Sequence, residues 1–152
     1  MRRRIDALKR LRKAIDKRAK QVLKYGRWDC CTAAAELWKA QTGVDVMKRL
    51  RGYTTARGAA LKLYHAAPKG TPKAKRFEAV VEIMARDAGL VEVPVSRAQR
   101  GFIVLLEWAT LDGPADCLGI VDLDGQKILV PAVGGGWGRV PLLAGRRAWG
   151  IN

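Results

Sequence analysis

The chain has 152 residues, enough for one domain with a sizeable core, and 49% of them are hydrophobic. No apolar run approaches the ~18–20 residues of a membrane span, the basic N-terminus lacks the apolar block of a secretory signal, and three cysteines, two of them adjacent, make a poor disulfide framework. The net charge of +15 is uneven: Arg2, Arg3, Arg4, Lys9, Arg10, Arg12, Lys13, Lys17, Arg18, Lys20 and Lys24 stand against only Asp6 and Asp16, giving +9 in residues 1–24 and +6 in the remaining 128.

A segment of that charge is drawn to nucleic acid, anionic lipid or an acidic protein surface, or it is a solvated face that aids solubility. Ile5, Leu8, Leu11, Ile15, Ala19 and Val22 recur at three- and four-residue steps, which predicts one amphipathic helix over 4–24. It is read as a basic interaction element, residues 1–24, ahead of a single domain at 25–152, and deletion of residues 1–20 is expected to leave the core folded. Tyr25-Gly26 ends that helix.

A second helix follows. Asp29 is an N-cap residue, Cys30, Ala34, Leu37, Trp38 and Gln41 keep helical spacing, and Gly43 is a stop. Val46–Leu50 reads as a short helical turn. Thr54 or Thr55 then caps a helix over 55–66, which Pro68, Gly70 and Pro72 terminate, leaving a basic loop at 69–76. Phe77, Val80, Val81 and Met84 form the apolar side of a helix over 75–88, stopped by Gly89.

Beyond Gly89 the texture becomes β. Leu90–Val95 is short and extended, and Phe102–Trp108 is almost continuously apolar, as in a strand buried on both faces. Asp116–Leu123 and Gln126–Val133 are joined by Asp124-Gly125, a type I′ hairpin signal. Residues 134–138 are a glycine loop and Arg147–Ile151 a last strand. The fold class is α+β: a helical N-terminal half, then an antiparallel sheet from about 102 to 151.

The chemistry concentrates at the start of the second helix. A thiol there sees the positive end of the helix dipole, which favours the thiolate, so Cys30 is the candidate nucleophile. The alternative is that Cys30 and Cys31 are small apolar residues packing a buried helix. The lone histidine, His65, is read as a partly buried aromatic-like residue beside Tyr64. Cys30, Cys31, Cys117 and His65 make an awkward zinc set because adjacent cysteines chelate one tetrahedral ion poorly, so no metal and no cofactor are assigned. The 134–138 loop fits neither GxGxxG nor a Walker motif. Tyr25, Trp28, Trp38 and Trp137 are read as core or groove-lining.

A helical half that opens on Asp29-Cys30 and continues into an antiparallel sheet resembles the NlpC-type cell-wall peptidases of the papain-like superfamily. The resemblance implies that Cys30 stands at the nucleophile position and that Cys117-Leu118-Gly119-Ile120-Val121 matches the strand that the family opens with its histidine base, so Cys117 stands where that histidine would be. The family's Gly-Asp pair before the first strand is Gly101-Phe102 here. Gly26-x-x-Asp29-Cys30, Thr42-Gly43, Arg51-Gly52-Tyr53-Thr54, Leu118-Gly119-Ile120 and Ala148-Trp149 also resemble a small family encoded among the tail genes of long-tailed phages. That likeness implies a virion component of the tail, made in the bacterial host cytoplasm, with other tail proteins as partners.

Three functions compete. The first is a structural or assembly component of a phage tail with a degenerate peptidase-like site, whose basic residues Arg2–Lys20 dock on acidic neighbours. The second is an active cysteine peptidase or amidase on bacterial cell wall using Cys30. The third is a nucleic-acid-binding protein that lays the basic helix along phosphates. If the peptidase-like fold holds, Cys30 and Cys117 meet, as packed thiols or as a disulfide clamp, while Cys31, ~100° further around the helix, points elsewhere.

Overall fold

The computed structural model describes residues 2–110 and 113–151. Four α-helices come first among them: α1 Ala7–Lys17, α2 Cys30–Thr42, α3 Ala56–Ala66 and α4 Arg76–Asp87. Six strands follow, β1 Val91–Val93, β2 Ile103–Thr110, β3 Gly113–Val121, β4 Lys127–Pro131, β5 Trp137–Pro141 and β6 Arg147–Gly150. They form one sheet in the order β1-β6-β2-β3-β4-β5, with every pair antiparallel. The class is α+β.

The predicted 4–24 helix is cut at both ends. Only Ala7–Lys17 is helical, and Ile5 and Val22, predicted on the apolar stripe, are exposed. Lys24 pairs in an isolated antiparallel bridge with Trp28, so the chain has left the helix before Tyr25. What remains is not an appendage. Leu11 and Ile15 are buried in the cluster that contains Leu37 and Trp38 of α2, and the Trp137 indole N–H donates to the Ile15 carbonyl at 2.9 Å. Removing residues 1–20 would therefore open the core, contrary to the expectation from charge alone.

α2 is the central helix. Its apolar face is broad: Ala33, Ala34, Ala35, Leu37 and Trp38 are all buried. Gln41, fully buried near its end, donates to the Leu37 and Gly101 carbonyls at 3.2 and 3.1 Å, tying α2 to the entry of β2. The sheet has apolar residues on both faces along β2, as the unbroken run Phe102–Leu106 predicts; toward the end of β2 Glu107 and Ala109 are exposed. One face (Ile103, Leu105, Leu118, Ile120, Leu129) joins the helices, and the other (Phe102, Val104, Leu106, Cys117, Val130) forms a second cluster.

The β3–β4 turn departs from the type I′ expectation. Only Gly125 has positive φ, 72°, and its N–H donates to the Asp122 carbonyl at 2.9 Å, so the turn is longer than two residues. Residues 134–138 are a loop only at their start, because Trp137–Pro141 pairs with β4 as an edge strand. β3 pairs with β4 solely through Ile120 and Val121. Gly119 permits the tight crossing: a Cβ there would lie 2.4 Å from the Ile128 side chain and 2.8 Å from the Leu129 carbonyl oxygen. Upstream of it, β3 runs free of β4 and carries Cys117 toward the first turn of α2.

Candidate functional site

The first turn of α2 is fixed by a reciprocal capping box. The Asp29 carboxylate accepts the Thr32 N–H at 2.8 Å, and the Thr32 hydroxyl accepts the Asp29 N–H at 2.7 Å. Asp29 does more than cap. Its other oxygen accepts the Gly26 N–H at 2.9 Å and the Tyr53 hydroxyl at 2.5 Å, so one buried carboxylate joins the approach loop, α2 and the segment before α3. Gly26 is required there: φ is 79°, and a Cβ would lie 1.9 Å from the Tyr53 carbonyl oxygen. Burial, reinforced by the Asp29 carboxylate beside it, holds the Tyr53 hydroxyl firmly protonated, as the donor in this bond.

Beside this hub lies a cleft of about 270 Å³. Asp29, Cys30 and Cys31 form its helical rim, Cys117 its strand side, and Phe77, Trp108 and Ala59 its apolar walls. α3 contributes a small-residue face through Ala56, Ala59 and Ala60, yet no residue of α3 is buried. It leans on the domain as a thin wall.

Three thiols converge at this point, and all are free. Cys30 is half-buried and packs against both hydrophobic clusters, while Cys31 and Cys117 are buried. The Cys30 and Cys31 sulfurs are 4.0 Å apart. Cys31 thus joins the group, against the expectation that it points away: a 100° step around a helix does not separate two sulfurs at a first turn open to the same cleft. The expected meeting of Cys30 and Cys117 is present: both line this cleft, and Cys30 packs against the buried cluster that contains Cys117. The proton distribution is unequal. Hydrogen bonds from Cys117 and Cys31, with the Leu118 N–H, hold the Cys30 thiol well below its ordinary pKa against the opposing effects of burial and Asp29. Donating to Cys30, together with burial, pushes Cys31 and Cys117 well above theirs. Cys30 is the thiolate of the trio, consistent with its place at the helix N-terminus.

No general base accompanies it among the described residues. His65 is exposed rather than partly buried, its ring against Tyr64 at 5.3 Å, and it does not line the cleft. The carboxylates at the rim are committed, Asp29 to its donors and Asp116 to Arg146 at 3.0 Å. No cluster of three or more His, Cys, Asp or Glu side chains able to hold a metal ion occurs among the described residues.

The basic residues divide. Arg3 is half-buried, donates to the Arg100 carbonyl and lies over the Phe102 ring at 5.0 Å; burial, with the charge of Arg100, lowers its pKa. Arg18 makes a two-pronged bond to Glu36 (2.6 and 2.9 Å) and stacks on Trp28 at 4.9 Å. Arg10 pairs with Asp6 at 2.8 Å. Arg3 and Arg18 are therefore structural, not free binding residues. Arg2, Lys9, Arg12, Lys13, Lys17 and Lys20 are exposed. Arg4, Arg10, Lys13, Lys17 and Lys39 line a second groove, about 410 Å³, between α1 and α2, with the Arg18-paired Glu36 as its carboxylate.

The agreement with a known family spans nearly the whole chain. The chain belongs to the DUF6950 family, a domain of unknown function, over residues 2–151. No curated protein and no solved structure matches it. Of the residues singled out in the sequence of this DUF6950 chain, Cys30 and Cys117 both line the cleft, but two features of its surroundings were missed. Tyr53 had a signal in the Arg51-Gly52-Tyr53-Thr54 motif without a role, and the α1/α2 groove had none, because Lys39 is remote in sequence from the basic segment. No helix among the described residues is long and apolar enough to cross a membrane.

Proposed function

We propose that the chain is a structural or assembly component of a long-tailed phage tail, in the region of the tail tip, carrying a papain- and NlpC-like cleft whose cysteine has lost its general base. The observation that carries the reading is the surroundings of Cys30: its cleft neighbour Cys117, the position to which the resemblance assigns the histidine, is a buried thiol, and both rim carboxylates are otherwise bound. General-base assistance is worth roughly 10²–10⁴-fold, so its loss leaves little hydrolysis. The tail assignment rests on the motif resemblance, and the exposed cations of the α1/α2 groove suit an acidic neighbour in such an assembly. Two measurements test it: the location of the protein in assembled particles, and incubation of the purified protein with peptidoglycan, which should release no fragments. Absence from particles refutes the tail role.

A second reading, a cysteine peptidase or amidase acting on cell wall, is favoured by the lowered Cys30 pKa at a helix N-terminus in an accessible cleft. Fragment release that Cys30→Ser abolishes and Cys31→Ser retains would establish it in place of the first. The cationic groove favours a third, nucleic-acid binding; affinity for duplex DNA that falls steeply with salt is its signature.

A further inference from the structure

We propose that Cys30 is a site of oxidation by hydroperoxides and that Cys117 resolves it as an intramolecular disulfide, so that the cleft floor is a two-electron redox centre. The argument starts from position. Cys30 borders the cleft and is only half-buried, so a small oxidant reaches it. Cys117 is buried behind it on a different element, lining the same cleft and lying in the cluster against which Cys30 packs. Susceptible thiols are accessible, ionised and placed next to a resolving cysteine. The hydrogen bonds that stabilise the Cys30 thiolate supply the second condition without any imidazole.

The chemistry closes without a further co-reactant. The Cys30 thiolate attacks the terminal oxygen of a hydroperoxide; the O–O bond breaks, and the departing alkoxide or hydroxide takes a proton and leaves as alcohol or water. Sulfur is oxidised by two electrons to sulfenic acid, and the peroxide is reduced by two. The Cys117 sulfur then attacks the Cys30 sulfur, the S–O bond breaks, the S–S bond forms, and hydroxide leaves with the Cys117 proton as water.

Cys31 is the competing partner, its sulfur 4.0 Å from that of Cys30. It loses the competition for a geometric reason. Residues 30 and 31 are consecutive in the first turn of α2, where the capping box fixes the backbone, and joining adjacent sulfurs would require that turn to unwind. Joining Cys30 to Cys117 instead links α2 to β3, two elements that already pack against each other.

The experiment treats the reduced full-length protein with substoichiometric hydrogen peroxide, then blocks remaining thiols and maps the peptides. The expected product is a Cys30–Cys117 disulfide, and in Cys31→Ser the partner remains Cys117. In Cys117→Ser, oxidation should stop at a Cys30 sulfenic acid that dimedone traps. Because that variant removes a buried side chain, the wild type carries a second arm: in denaturant the pairing should become unselective. A Cys30–Cys31 disulfide, equal oxidation of all three thiols in the folded protein, or no reaction at Cys30 would each overturn the proposal. None of these outcomes depends on whether the protein belongs to a phage tail.

Discussion

Replacing Tyr53 by Phe tests whether Asp29 is a structural hub. The substitution deletes one oxygen and leaves the ring, which is only 8% exposed, in its packing. What is lost is a 2.5 Å hydrogen bond to a carboxylate that is itself buried. Bonds to charged groups contribute about 1.5–3 kcal/mol, and Asp29 keeps the Gly26 and Thr32 amides, so the lower end applies: about 1.5–2 kcal/mol. Urea unfolding followed by tryptophan fluorescence should show a midpoint lowered by about 1 M at unchanged slope, given slopes of roughly 1–3 kcal/mol per M. The pH dependence supplies a second signature. Tyr53 is protonated when folded, its pKa raised chiefly by burial, and it ionises near pH 10 when unfolded. The unfolded state therefore binds fewer protons, and this contribution, fully present below pH ~10, is lost above it at about 1.4 kcal/mol per pH unit. The advantage of wild type over Tyr53→Phe should shrink above pH ~10 and nearly vanish about one unit higher. A difference below about 0.5 kcal/mol at neutral pH, the level of an ordinary surface substitution, or a gap that stays constant through pH 11, would refute the hub.

Leu11→Ala, at a fully buried position of α1, should cost about 2–5 kcal/mol in the same urea assay; a surface-like effect would show that α1 is dispensable to the core. Lys13→Glu with Lys17→Glu should leave stability within roughly 1 kcal/mol, since each exposed change contributes about ±0.5, while particle incorporation is lost; normal incorporation would detach the groove from assembly. Alkylation of Cys30 by iodoacetamide should persist below the pH where a free thiol of pKa ~8.5 loses reactivity, because its pKa is lowered, whereas Cys31 and Cys117 should react only at higher pH. Identical pH profiles for the three thiols, read by peptide mapping, would contradict the assigned proton distribution.

Local chemistry was legible in the sequence where it is self-contained. Asp29 and Gly43 bracket α2 as their residue types require, with Gly43 at φ 80°. Thr55 caps α3 by accepting the Gly58 N–H at 3.0 Å. The apolar run from Phe102 to Leu106 announces a strand buried on both faces. The long amphipathic helix failed because periodicity cannot detect competing tertiary bonds. The Gly136 N–H donates to the Gln21 carbonyl and Lys24 pairs with Trp28, and both bonds take the chain out of helical geometry after Lys17. The edge strand Trp137–Pro141 was hidden by Gly138 and the three glycines before it, which read as loop until β4 is there to pair with it.

Charge shows the same limit more sharply. Eleven cations in the first 24 residues invite a single explanation, yet Arg3 over Phe102 and Arg18 between Glu36 and Trp28 hold this segment onto its own domain. A guanidinium suits that work, since it stacks on a ring while its fork grips a carboxylate. The lysines divide differently: Lys13 and Lys17 are exposed and one helical turn apart, and Lys39 reaches the same groove from α2. An acidic partner would meet these compact charges across water, where they govern encounter and register more than net affinity. The arginines that anchor α1 thus set the position from which the lysines act, and charge reversal at Lys13 and Lys17 separates the two roles where deletion of the segment would destroy both.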